Sequence, residues 1–287
     1  MPLLNFEVHL QYKVGAAGAD FILNIEAART AYQSVLAESL SFSQSLNVQR
    51  YEPSGTQNRF LRFRAGQGSL DVNYEASVAL SHDDLAPDTV FEVPVSQLPD
   101  QVLPYLYPSR YCQSDRLTQL AMELFGQMPK GYRRIEAIQD WVRANLVFQM
   151  KSSNSMTSAL EALAQRTGVC RDFAHLMISL CRALSIPARY TTGIDYGADP
   201  ALGPPDFHAY VEVYLGYRWY LFDPSGVAIK TGLIRIGTGR DAADVSYATI
   251  FGDVGSEPPI IYIQASPDSA GSPLISVGAL STDDGRP

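Results

Sequence analysis

Cys170 stands where the loop residues Gly168 and Val169 give way to an apolar-striped helix, Cys-Arg-Asp-Phe-Ala-His-Leu-Met-Ile. Helix N-termini carry unpaired backbone N–H groups and the positive end of the helix dipole. A thiolate placed there is stabilised, which is one way a chain makes sulfur nucleophilic at neutral pH. Such a nucleophile needs a base, and the base needs a third group to hold its tautomer and orientation. Two histidines lie downstream, His175 on the same helix and His208 near the start of a strand, in Asp-Phe-His-Ala-Tyr-Val-Glu-Val. His175 sits at an unsuitable rise and angle along its own helix, so it reads as a core or supporting residue and His208 as the base. Asp223 ends the next strand, in Trp-Tyr-Leu-Phe-Asp-Pro. A hairpin turn at Gly216-Tyr217 sets the start of one strand beside the end of the other. Together these residue types could serve thiol chemistry, with Cys170 as a nucleophile, His208 as its base and Asp223 as the residue that orients the imidazole. The Cys170 backbone N–H would meet the oxyanion, with Gln149 or Asn154 as the second donor.

The elements that must position these groups follow from pattern and punctuation. Leu4, Phe6, Val8, Leu10 and Tyr12 alternate with polar residues, a strand with one wet face. Runs over 21–25, 59–64 and 70–78 read as further strands, and 27–48 is ambiguous between strand and helix. A small antiparallel β-sandwich fits residues 1–109. Pro94, Pro99, Pro104 and Pro108 then mark an extended connector. Helices are expected over 116–127, capped by Ser114 or Asp115, over 132–145, and from Ser158 to 165. The helix carrying Cys170 continues to about residue 185. Strands follow over 188–194, 207–215, 218–222, 227–236 and 260–264. Residues 110–265 therefore read as the catalytic domain, and 266–287, rich in Ser, Asp, Gly and Pro, as a flexible tail.

The segment from Gly168 to Tyr190, with Cys-Arg-Asp-Phe-Ala-His-Leu-Met and Cys-Arg-Ala-Leu-Ser-Ile-Pro-Ala-Arg-Tyr, closely resembles the core of transglutaminase-like proteins. So do His-Ala-Tyr-Val-Glu-Val-Tyr, Phe-Asp-Pro-Ser and the run from Gly237 to Val245. The resemblance covers roughly residues 110–255, and the N-terminal β region looks like the domain that often precedes this core in bacteria. It implies an α+β fold: a papain-like core with the cysteine helix packed on an antiparallel sheet. It also implies a triad of Cys170, His208 and Asp223. Bacterial members are mostly thought of as cysteine peptidases or amidases, and a minority transfer acyl groups to amines. The expected activity is therefore hydrolysis of peptide or isopeptide bonds through a thioester. The alternatives are acyl transfer from protein glutamine to an amine, or a binding scaffold without turnover. Tyr210 stands where members of the family more often have Trp.

Composition bounds the rest. The chain has 287 residues, 46% hydrophobic and 18% charged, with a net charge of −8. An acidic chain without a basic run gives no reason to expect nucleic acid or an anionic membrane as partner. A peptide or protein substrate is expected, and self-association is left open. Neither an apolar run long enough to span a bilayer nor a signal-like N-terminus is visible. Three cysteines, an odd and sparse set, point to a reducing, cytoplasmic setting rather than a disulfide framework. Neither a metal-ligand spacing nor a cofactor motif stands out. Cys112 and Cys181 read as buried structural thiols, Arg171 as a surface residue, and Asp172 as a carboxylate favoured by the first helical turn. Arg240, Asp241 and Asp244 read as a loop anchor.

Overall fold

Alternation from Leu4 onward builds a strand with one dry face. In the computed structural model, which describes residues 2–197, 205–266 and 278–283, that strand is β1 (Leu3–Val14). It buries Leu4, Phe6, Val8, Leu10, Tyr12 and Val14. β2 (Ala19–Leu23), β3 (Gln33–Phe42), β4 (Gln49–Tyr51), β5 (Phe60–Ala65), β6 (Gly68–Leu80) and β7 (Asp83–Leu85) follow. The ambiguous 27–48 stretch is thus extended over β3, which pairs with β6 through a bulge between Val35 and Ala37. The proline-rich connector is not extended throughout. Short 3-10 turns occupy Pro87–Thr89, Val95–Gln97 and Asp100–Leu106. Such turns need only i→i+3 bonds, and a proline at the start of one loses no useful donor.

The helices are α1 (Thr118–Phe125) and α2 (Tyr132–Asn145). The two-residue strand β8 (Val147–Phe148), α3 (Ala159–Gln165) and the strand β9 (Thr167–Gly168) come next. Then comes α4 (Cys170–Ala183). No side chain caps α1, where a cap from Ser114 or Asp115 was expected; those residues form a separate 3-10 turn over Ser114–Arg116. Ser158 does cap α3, and Glu161 accepts its backbone N–H at 2.7 Å. α4 lies on β10 (Ala188–Asp195) and β11 (Phe207–Leu215), sharing a core with Ala188, Tyr190, Ala209, Val211, Val213 and Leu215. β12 (Arg218–Phe222) returns through the Gly216-Tyr217 turn, where both residues have positive φ. That is the backbone a two-residue hairpin requires. The expected 227–236 strand forms only in part, as β13 (Leu233–Gly239). Before it, Gly226 turns the chain at φ 69° and the Ala228 N–H is drawn to Asp223 Oδ2 at 3.1 Å, so residues 227–229 stay irregular and Lys230–Gly232 form a short 3-10 turn.

The chain then goes back to its beginning. β14 (Ala248–Phe251) pairs with β2, while β15 (Val254–Ser256) and β16 (Ile260–Ala265) both pair with β1. Residues 110–265 are therefore not one separate unit, because their last strands complete the two sheets of the N-terminal sandwich. Those sheets run β15-β1-β6-β3, with β16 also on β1, and β14-β2-β5-β4. Residues 279–283, expected in a flexible tail, form β17 (Ala279–Asp283), which bridges β12 and β7. The sheet bearing the site consequently runs β13-β10-β11-β12-β17-β7 and includes strands from both ends of the chain. The rest of the expected tail, except Ser266 and Gly278, lies outside the described residues.

Candidate active site

Cys170 is the first residue of α4 and is partly exposed. Asp172, fully buried one turn in, accepts the Val169 N–H at 2.9 Å and so closes the helix start. Its carboxylate serves the cap, as its place in the first turn suggested. Gly168 permits this, since a Cβ there would lie 2.7 Å from Asp172 Cβ. Arg171 is not a free surface residue. Its guanidinium donates to the Asn154 carbonyl at 2.6 Å and to Ser153 Oγ at 3.2 Å, tying the 151–156 loop to the helix start.

The Cys170 side chain is close enough to His208 to act on it electrostatically. Its Nε2 lies 3.4 Å from Asp223 Oδ1 and 3.4 Å from Ser225 Oγ. The register sets Val211 opposite Phe222, so Asp223 falls level with Tyr210 and meets His208 on the diagonal rather than directly across. Asp223 is 1% exposed. Its Oδ1 accepts the Ser225 hydroxyl at 2.6 Å and the Ser225 N–H at 3.0 Å, and its Oδ2 accepts the Ala228 N–H. Burial raises its pKa, but the His208, Ser225 and Ala228 hydrogen bonds outweigh that and hold it below the ordinary carboxylate value. Burial likewise opposes a charged His208. The negative partners Asp195, Cys170 and Asp223 prevail, and the imidazole stands well above its ordinary pKa.

Asp195 was missed in the sequence, where the strand seemed to end at Ile194. It closes β10, and its Oδ2 lies 3.4 Å from His208 Nδ1. Gly193 sits directly opposite His208 in the register. A Cβ at Gly193 would come within 2.3 Å of Leu233 Cδ1 and 2.5 Å of the Ile234 carbonyl. Gly193→Ala is expected to cost about 2 kcal/mol or more, read as a lowered denaturation midpoint, because the Ile234 backbone must give way as well as the Leu233 side chain.

His175 does not reach this cluster as a base. It is fully buried, stacked on Tyr111 at 5.0 Å and tilted against Tyr190 at 5.2 Å. Its Nε2 accepts the Ala242 N–H at 3.2 Å. Burial, helped by Arg171 and Arg182, lowers its pKa well below the ordinary value and keeps it neutral. Tyr210 packs edge-on against the His208 ring at 4.5 Å, so the residue replacing the usual Trp lines the imidazole. Of the two proposed oxyanion donors, Asn154 is oriented locally through its Oδ1, which accepts the Met156 N–H at 2.8 Å. Gln149 is exposed, and its backbone N–H bonds the Gly168 carbonyl at 3.0 Å, beside the start of α4. Asp241 takes the Tyr111 N–H at 2.9 Å and Arg240 pairs with Asp244, so the 237–245 run anchors a loop.

The site sets a thiol at a helix start near an imidazole that projects from an antiparallel sheet, within an α+β fold. Residues 118–224 match the model of the transglutaminase-like superfamily, and residues 4–101 match that of the bacterial transglutaminase N-terminal domain. A crystal structure of a candidate cysteine protease from Cytophaga hutchinsonii is 38% identical, covers 98% of this chain and 97% of its own, and superposes with a TM-score of 0.90. The chain belongs to the transglutaminase-like superfamily. An uncharacterized protein of Mycobacterium leprae is 34% identical over 119 residues, which span 40% of this chain and 42% of that protein. One from Mycobacterium tuberculosis is 30% identical over 125 residues, 39% of this chain and 40% of the other. The match thus spans about two fifths of these curated relatives' length. Among the described residues no helix is long and apolar enough to cross a membrane.

Proposed function

We propose that this protein is a thiol-dependent hydrolase of peptide or isopeptide bonds, with Cys170, His208 and Asp223 as its triad. The observation that carries the reading is the buried His208, within electrostatic reach of the helix-borne Cys170 and with its Nε2 3.4 Å from Asp223 Oδ1. His208 takes the thiol proton, and the sulfur adds to the substrate carbonyl carbon. The Cys170 N–H meets the resulting oxyanion, joined by Gln149, whose backbone bond to Gly168 keeps it beside the helix start. As the C–N bond breaks, His208 gives its proton to the leaving amine and a thioester remains. Water then loses a proton to His208 and adds to the thioester; the C–S bond breaks and Cys170 recovers its proton. Asp223, anchored by Ser225 and the Ala228 N–H, keeps the imidazole in one orientation throughout.

A peptide or protein amide is the proposed substrate, and three unpaired cysteines support a reducing compartment such as the cytoplasm. A second reading shares every step up to the thioester, with an amine replacing water as the acyl acceptor. It is favoured by the match to the transglutaminase-like core. Incubating the protein with a mixture of protein substrates and an excess of a labelled primary amine separates the two. Label incorporated into protein means acyl transfer, and new carboxyl termini or released amines without label mean hydrolysis.

The nucleophile is tested without any substrate. Cys112 and Cys181 are fully buried, and burial pushes both thiols up to about 12. Iodoacetamide at neutral pH, followed by peptide mapping, should modify Cys170 about 100-fold faster than either. Comparable rates at the three cysteines would remove the basis for the proposal.

A further inference from the structure

His208 is flanked from both neighbouring strands. Asp223 approaches Nε2 from the β12 side, and Asp195 approaches Nδ1 from β10, its Oδ2 at 3.4 Å. The register explains the symmetry. Gly193 is opposite His208, so Asp195 lies two residues further along, on the diagonal. The carboxyl is 7% exposed, and its second oxygen, Oδ1, has no hydrogen-bond partner. Burying a carboxyl with one oxygen unsatisfied is costly. A purely structural carboxyl would be expected to collect backbone N–H groups, as Asp172 does.

We propose that Asp195 is a positioning residue of the active centre. It shares the His208 Nδ1 proton with the Cys170 sulfur, holding the imidazole charged and aligned from the side that Asp223 does not reach. The inference rests on the reading of His208 as the base and adds to it a second carboxylate partner. Nε2 is engaged by Asp223 and Ser225, which leaves Nδ1 to the sulfur and Asp195. Once the sulfur is acylated its charge is gone, and Asp195 is then the remaining anion at that nitrogen.

The groups acting on the ring are Cys170 from α4, Asp195 from β10, Asp206 just before β11, Tyr210 from β11 itself, and Asp223 with Ser225 after β12. From β13, Arg235 lies across Gly193, but its guanidinium is turned to Glu212. The anions therefore dominate at the imidazole. Burial pushes the Asp195 carboxyl up to about 7, against the pull of His208 and with the help of Asp223.

The sign of the effect follows. An ionised Asp195 stabilises the imidazolium, so removing its charge lets His208 lose its proton at lower pH. Asp195→Asn should lower the His208 midpoint, followed by NMR of the labelled imidazole, by about 1–3 pH units. The alkaline limb of Cys170 alkylation should fall in the same direction, while Asp195→Glu should restore part of the shift. An unchanged His208 midpoint in a folded Asp195→Asn protein would overturn the proposal. Should that variant fail to fold, the carboxyl carbon of Asp195 is titrated by NMR in the unaltered protein instead. A second step in the Asp195 carboxyl shift at the His208 midpoint supports the pairing, and an Asp195 shift indifferent to the ionisation of His208 overturns it. Selective alkylation of Cys170 with a His208 midpoint indifferent to Asp195 would leave the hydrolase reading intact while removing this one.

Discussion

Replacing His208 by alanine is expected to lower kcat/KM by about 10⁴-fold or more, and replacing Cys170 by alanine to do the same, while the double variant falls no further than either alone. The reason is that neither group performs a separate task. The sulfur is useful once His208 has its proton, and the His208 proton is useful once sulfur has attacked. The cycle is read with any peptide or amine-release assay that the unaltered protein supports. Selective Cys170 alkylation supplies a parallel readout, which His208→Ala should slow at neutral pH. Stability is a control rather than the effect. Cys170 is partly exposed at a helix terminus, so trimming it leaves little cavity. His208, 7% exposed, fills more space and should cost about 1–3 kcal/mol. Losses that add in the double variant, or a His208→Ala enzyme of near-normal rate, would mean the two do not act as a unit.

The parts of this site legible in the chain were those set by local chemistry. Gly168 and Val169 before an apolar stripe placed the α4 start at Cys170 without error, because strand-to-helix punctuation is a short-range signal. Tyr132–Asn145 was likewise legible as a helix by its core spacing. The hairpin from Phe207 to Phe222 was legible because Gly216-Tyr217 is a two-residue turn between alternating runs. Everything that depends on distant pairing was not. Asp195 lies one residue past the visible apolar run. Its meaning comes from the β10–β11 register, which pairs Gly193 with His208. β15 and β16 return to β1 across more than two hundred residues, and no local pattern states that partner. Residues 279–283 show the same blindness from the opposite direction. Their composition suggests disorder, yet β12 and β7 supply the missing hydrogen bonds. Conversely, Val227–Ile229 has strand-like residues but no strand, since Asp223 takes the Ala228 N–H for the site.

Glu212 shows how firmly the sheet beneath the imidazole is held, and its loss is the largest stability effect expected. It occupies the same face of β11 as His208 and Tyr210, and it is fully buried. Arg189 donates to its Oε2 at 2.6 Å, and Arg235 donates to its Oε1. Arg189 also lies over the Trp219 ring at 4.1 Å. The backbone of Arg235 is in turn gripped by the N-terminal sandwich. Its N–H donates to Gln33 Oε1 at 2.8 Å, and its carbonyl accepts from Gln33 Nε2 at 2.7 Å and from the Ala28 N–H at 2.9 Å. Removing the shared anion leaves two buried guanidinium groups facing each other across a vacated space. Breaking a buried pair from one side costs about 3–5 kcal/mol, so Glu212→Ala should lower the denaturant midpoint by a large part of the total stability. The converse experiment separates charge from packing. Replacing Glu212, Arg189 and Arg235 together by apolar residues of similar length removes the desolvation cost along with the attraction, and should regain most of the loss. A Glu212→Ala protein as stable as the parent would show that the arginines find other partners. A triple variant no better than the single would shift the explanation from charge to the packing of Arg189 on Trp219.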